Sequence, residues 1–91
     1  MALKDKVALI TGSSRGIGAA IAKLFAQHEA KVVVHGRDLA ALAAVRADIE
    51  RAGGRAIEVA GDLTRLSDIE GMRSRVEETL GPIEVLVANA G

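Results

Sequence analysis

Three glycines, Gly12, Gly16 and Gly18, punctuate the run Thr11-Gly12-Ser13-Ser14-Arg15-Gly16-Ile17-Gly18. The chemistry that this spacing serves is the holding of a pyrophosphate. Gly12 allows a sharp turn out of a strand, Gly16 lets backbone approach an anion closely, and Gly18 lets a following helix pack tightly against the sheet. Such a helix presents unpaired N–H groups and the positive end of its dipole to the anion. The competing reading is a glycine-rich turn that binds nothing, and the elements on either side weigh against it. A Walker-type loop would close on Gly-Lys-Ser/Thr, whereas Gly18-Ala19-Ala20 stands here, so that reading is rejected.

The elements that must position this loop are written around it. Val7–Ile10 is an apolar run ended by Thr11-Gly12, and from Ile17 the apolar positions Ile21, Leu24 and Phe25 form a helical stripe. Val32–Val34 is β-branched and predicts a second strand. Asp38 is placed to cap a helix with Leu42, Val45, Ile49 and Ala52 on one face, ended by Gly53-Gly54. Ala56–Ala60 reads as a third strand. Ser67-Asp68-Ile69-Glu70 has the form of a capping box, with Ile69, Met72, Val76 and Leu80 inward, and Gly81-Pro82 stops that helix. Glu84–Ala88 then predicts a fourth strand.

This βαβαβαβ order requires a parallel sheet with right-handed crossovers. We expect an α/β fold of the Rossmann type, a doubly wound sheet of strand order 3-2-1-4, forming a single dinucleotide-binding half-domain over residues 1–91. Val7-Ala8-Leu9-Ile10, Val32-Val33-Val34 and Val85-Leu86-Val87 are apolar at every position, as in strands covered by helices on both faces. In this order the first two helices cover one face and leave only the third for the other. That is too few helices for both faces, and the fold is expected to be incomplete.

Here the motifs carry a resemblance. The loop, then Asp62-Leu63-Thr64 after the third strand, then Ala88-Asn89-Ala90-Gly91 after the fourth, resemble the short-chain dehydrogenase/reductase family in its classical form. The wording is most similar to 3-oxoacyl-acyl-carrier-protein reductases. The resemblance implies that Ser14, Arg15 and Ile17 lie along the cofactor phosphates and ribose, that Asp62 bonds the adenine amine, and that Leu63 packs near that ring. It implies that Asn89, Ala90 and Gly91 hold the sheet edge and approach the nicotinamide-side ribose. Asp62 also reads as an ordinary turn former, and Asn89 equally as a turn residue or a cofactor contact. Two departures stand out. Ala88 replaces a first Asn, and Glu29 occupies a place where relatives end the helix with Gly, at a cost of about 1 kcal/mol if positive φ is needed.

Charge at the end of the second strand selects the cofactor. An NAD site carries Asp or Glu there for the ribose hydroxyls, and this chain has Gly36 followed by Arg37. With Arg15 in the loop, two guanidiniums are available for a 2′-phosphate, which a planar fork binds in a bidentate way. The expected cofactor is NADP(H), with Gly12, Gly16 and Gly18 shaping its site and no metal involved. The alternative is that both arginines are solvated surface residues. His35 reads as a strand-end residue with no special role, adenine contact being its alternative.

Twelve basic and twelve acidic residues balance, without a basic excess for nucleic acid or an anionic membrane. There is no Cys, hence no disulfide or thiolate metal site, and the apolar start is too short for a signal peptide or a membrane span. A cytoplasmic location is the expectation. The resemblance implies hydride transfer between NADPH and a small-molecule carbonyl or alcohol substrate, with a catalytic Tyr, Lys, Ser and Asn lying after the fourth strand. The 91 residues contain no Tyr, so we expect no catalytic residue among them and no turnover by them alone. Three readings follow. One is the N-terminal part of a reductase; the second is a nucleotide-binding half without turnover. The third is an assembly module whose apolar edge pairs with another copy, as a homo-oligomer, or with a missing C-terminal half.

Overall fold

A computed structural model describes residues 2–89. They run β1 (Val7–Ile10), α1 (Gly16–Gln27), β2 (Lys31–Gly36), α2 (Leu39–Arg51), β3 (Arg55–Ala60), α3 (Leu66–Thr79) and β4 (Val85–Val87). The strands make one parallel sheet in the order β3-β2-β1-β4, a Rossmann-like α/β architecture and the order expected from the alternation of apolar runs and helical periods. Register pairs Leu9 of β1 with Val33 of β2 and with Leu86 of β4.

Successive strand residues face opposite sides, so each apolar strand feeds two cores. Ala8, Ile10, Val32 and Val34 face α1 and α2, whose Ala22, Ala26, Leu42, Val45 and Ile49 complete the larger buried cluster. Small alanines on α1 let that helix lie close to the sheet. Val7, Val33, Ile57 and Val59 face the other way and meet Met72 and Val76 of α3. The sheet contacts of α3 centre on β3. At the far edge, Leu86 stays 63% exposed while Val85 and Val87 pack against the larger cluster. Among the described residues, one face is therefore covered by two helices and the other only in part.

The helix ends show where local sequence ruled and where it did not. Asp38 caps α2 as expected, its carboxylate accepting from the Ala41 N–H at 3.1 Å. Gly53 takes a φ of 87° and the Gly54 N–H returns to the Ile49 carbonyl, which closes the helix. Ala52 is the exposed residue just past α2 and does not continue its buried face. The capping box at Ser67 does not form. The N-cap is Arg65, without a side-chain cap, so Ser67 falls inside the helix instead of before it, and the Asp68 carboxylate accepts from the Asp62 N–H at 2.9 Å. Ile69 and Leu24 are 40% and 47% exposed and lie at the margins of their helix faces, not inside. Glu29 has a φ of 67°, the left-handed conformation expected of the helix-ending glycine it replaces.

Candidate functional site

The loop between β1 and α1 turns on two left-handed glycines, Gly12 at φ 63° and Gly16 at φ 61°. Gly18 is required for a different reason. A Cβ there would lie 2.2 Å from the Gly12 carbonyl oxygen and 2.6 Å from Asn89 Nδ2. The tight approach is thus between helix and loop rather than between helix and sheet. Arg15 is the N-cap of α1 with extended backbone, and it makes no side-chain cap; the first turn also has no acidic residue. No capping side chain and no acidic residue of the first turn therefore compete with an anion for the N–H groups of that turn.

The carboxyl ends of β1, β2 and β3 open into a groove of about 530 Å³ lined by Ser14, Arg15, Arg37, Asp62 and Leu63, with Gly12, His35 and Gly61 in its walls. That volume falls within the range of roughly 300–1,000 Å³ of small-molecule sites. Gly36 is buried beneath it, and a Cβ there would lie 3.1 Å from the Ser14 Cβ, so a larger residue would press on the loop. Both arginines are exposed and each reaches a carboxylate: Arg15 Nη2 to Asp38 at 2.8 Å and Arg37 Nη2 to Asp62 at 2.5 Å. A guanidinium carries five N–H donors, so these pairs leave donors for a phosphate.

The acids are tuned accordingly. The Thr64 hydroxyl and N–H, at 2.7 and 2.9 Å, and then Arg37 hold the Asp62 carboxyl down to about 2. The Ala41 N–H and Arg15 hold Asp38 below its ordinary value. Asp62 therefore shows the turn-former bonding that was one of its two readings, while also facing the groove.

Placement of the expected residues divides cleanly. Gly12, Ser14, Arg15, Arg37, Asp62 and Leu63 come together around the groove. Gly16, Ile17 and Gly18 open α1 beside it, with Ile17 74% exposed. Asn89 holds the loop from β4: its Nδ2 donates to the Gly12 carbonyl at 3.2 Å and its N–H to the Thr11 hydroxyl at 2.9 Å. Ala90 and Gly91 lie outside the described residues. His35 reads from the sequence as a strand-end residue, with adenine contact as its alternative, yet it is buried and hydrogen-bonded in the groove wall. Ser13 is likewise buried, its hydroxyl joining the Ile10 carbonyl to the His35 N–H. A polar residue just past each of two apolar strand runs was the available signal.

Known proteins resemble this chain in sequence and in fold. The family model for short chain dehydrogenase matches residues 6–91. Ketoacyl reductase HetN of Nostoc sp. is 37% identical over 89 residues, which make up 98% of this chain and 31% of that protein. A metagenomic short-chain oxidoreductase crystallised with NADP superposes with a TM-score of 0.92 at 43% identity, covering all of this chain and 41% of the other. L-Sorbose reductase from Gluconobacter frateurii, crystallised with NADPH and L-sorbose, gives a TM-score of 0.93 at 38% identity, over all of this chain and 35% of that one. The chain spans about a third of the length of the curated relative HetN.

Proposed function

We propose, from the premise that this chain belongs to the short-chain dehydrogenase family, that its groove binds NADP(H) and that the whole protein reduces a carbonyl or oxidises an alcohol with it. The observation that carries the cofactor choice is the pairing of Gly36 with two guanidiniums, Arg15 and Arg37, at one groove. An NAD-type site would place a carboxylate at the end of β2; this chain has a buried glycine there, hard against the loop. The solved relatives bound to NADP and NADPH support the same choice.

In this reading the uncapped first turn of α1 and the left-handed loop hold the pyrophosphate. Arg15 and Arg37 take the 2′-phosphate, exchanging part of their pairing with Asp38 and Asp62 for it. Asp62 and Leu63 flank the adenine, and Asn89 secures the loop from the β4 side. NADPH, once bound, supplies the hydride. The substrate is a small carbonyl or alcohol compound, and relatives of similar identity are named for a ketoacyl group and for L-sorbose.

The test is a titration of NADP(H) and NAD(H) against the unmodified protein and Arg37→Asp. We expect NADP(H) to bind at least about tenfold more tightly to the unmodified protein, one charge-assisted hydrogen bond being worth about 1.5–3 kcal/mol. The substitution should reverse the order. Equal affinity of the unmodified protein for both cofactors would overturn the proposal.

A further inference from the structure

We infer that His35 is a positioning residue of the nucleotide groove, its imidazole fixed as the Nε2–H tautomer between the phosphate loop and the end of β3. The inference rests on the NADP(H) reading above for its effect on affinity, but the hydrogen bonds that support it do not.

The ring sits between two backbone groups of opposite kind. The Gly12 N–H lies 3.1 Å from Nδ1, and the Gly61 carbonyl oxygen lies 3.1 Å from Nε2. An amide N–H can only donate, so Nδ1 must accept; a carbonyl can only accept, so Nε2 must carry the proton. Only one neutral tautomer satisfies both partners, and a doubly protonated ring would set its Nδ1–H against the Gly12 N–H. His35 is 5% exposed, which makes loss of either bond costly.

The backbone of the same residue reinforces the join. Its N–H donates to the Ser13 hydroxyl at 2.8 Å, and its carbonyl accepts the Ser13 N–H at 2.8 Å. The Ser13 hydroxyl donates in turn to the Ile10 carbonyl at 2.7 Å, and Ser13 is fully buried. A fully satisfied buried network of this kind rigidifies what it joins. Here it joins two walls of one groove. Gly12 begins the phosphate loop in a left-handed turn, and Gly61 immediately precedes Asp62, the partner of Arg37. One imidazole thus sets the spacing between the anion-binding turn and the strand end that carries the adenine-side residues. A nucleotide contacting both walls needs that spacing in advance.

Three substitutions separate the two bonds. In His35→Asn the amide oxygen takes the place of Nδ1 and keeps the Gly12 bond. In His35→Gln the amide nitrogen takes the place of Nε2 and keeps the Gly61 bond. His35→Phe removes both. Made in the full chain and titrated with NADP(H), they are expected to give affinities in the order unmodified, then Asn, then Gln, then Phe, with Phe weakened about tenfold or more. Asn precedes Gln because the Gly12 bond holds the loop itself. Should Phe fail to fold by circular dichroism, the Asn and Gln pair decides the matter. Nitrogen-15 NMR of the nucleotide-free protein at neutral pH should show a protonated Nε2 and a bare Nδ1. The opposite tautomer, or equal NADP(H) affinity in folded Asn, Gln and unmodified proteins, would overturn the role of His35 while leaving NADP(H) binding intact. Failure of the unmodified protein to bind NADP(H) would instead overturn the cofactor reading, and this inference with it.

Discussion

Asp62 is held ionised chiefly by the two donors of Thr64, with Arg37 adding to them, and its carboxyl titrates at about 2 instead of 3.8. A carboxylate whose folded value is depressed contributes stability that is fully present above its unfolded value and disappears as pH falls through the folded one. The window is therefore from about pH 4 down to about pH 2. Asp62→Asn should lose less melting temperature across that window than the unmodified chain, and parallel melting curves for the two proteins would refute the assignment. Glu29 offers a change of the other sign. It is exposed and lies at φ 67°, where glycine has no steric cost, so Glu29→Gly should raise stability by about 1 kcal/mol in denaturant unfolding. No gain, or a loss, would show that the Glu29 side chain contributes more than its backbone costs. The glycine spacing and the two arginines were legible in the sequence because each fits the chemistry of an anion. His35 was not, since its partners Gly12 and Gly61 are distant in sequence and meet only when β1, β2 and β3 are side by side.

At the scale of the elements, apolar runs and helical periods located every strand and helix, while their ends depended on contacts from elsewhere. Glu84 reads as strand from its neighbours, yet β4 begins at Val85, and the Glu84 carboxylate accepts from Lys6 Nζ and from the Val7 N–H. Asp68, in the first turn of α3, likewise holds the Asp62 turn through its carboxylate, a bond between loop and helix that no capping pattern reports. The sides of β4 were also hidden. A run of three apolar residues has no phase, and its facing is set by pairing Leu86 with Leu9. That pairing points Leu86 to the same face as α3, beyond the part of it that α3 covers, and an apolar edge strand without Lys or Pro is a template for association. A polypeptide of these 91 residues is expected to self-associate through this side, and Leu86→Lys should lower its sedimentation coefficient toward that of a monomer. A soluble monomer at high concentration without the substitution would refute the docking role of that edge.

Seen across the whole molecule, the groove gathers at one end of the sheet because all four strands run parallel and deliver their following loops together. Among the described residues the two cores differ in completeness, with the larger one closed by α1 and α2 and the smaller one resting on α3. The bonds that steady the phosphate loop follow neither core. The Thr11 N–H reaches the Val87 carbonyl at 3.0 Å, and Asn89 reaches back to Thr11 and Gly12. The strand that bears the loop is first in the chain, whereas β4, which pairs with its other side, comes after all the other described elements. A ribosome releasing this chain from its N-terminus exposes the anion-binding turn long before the residues that latch it. The loop is thus drafted early and fastened late. Until residues 84–89 have left the exit tunnel, β1 stands as an open edge in the nascent chain, and the turn lacks its β4-side ties.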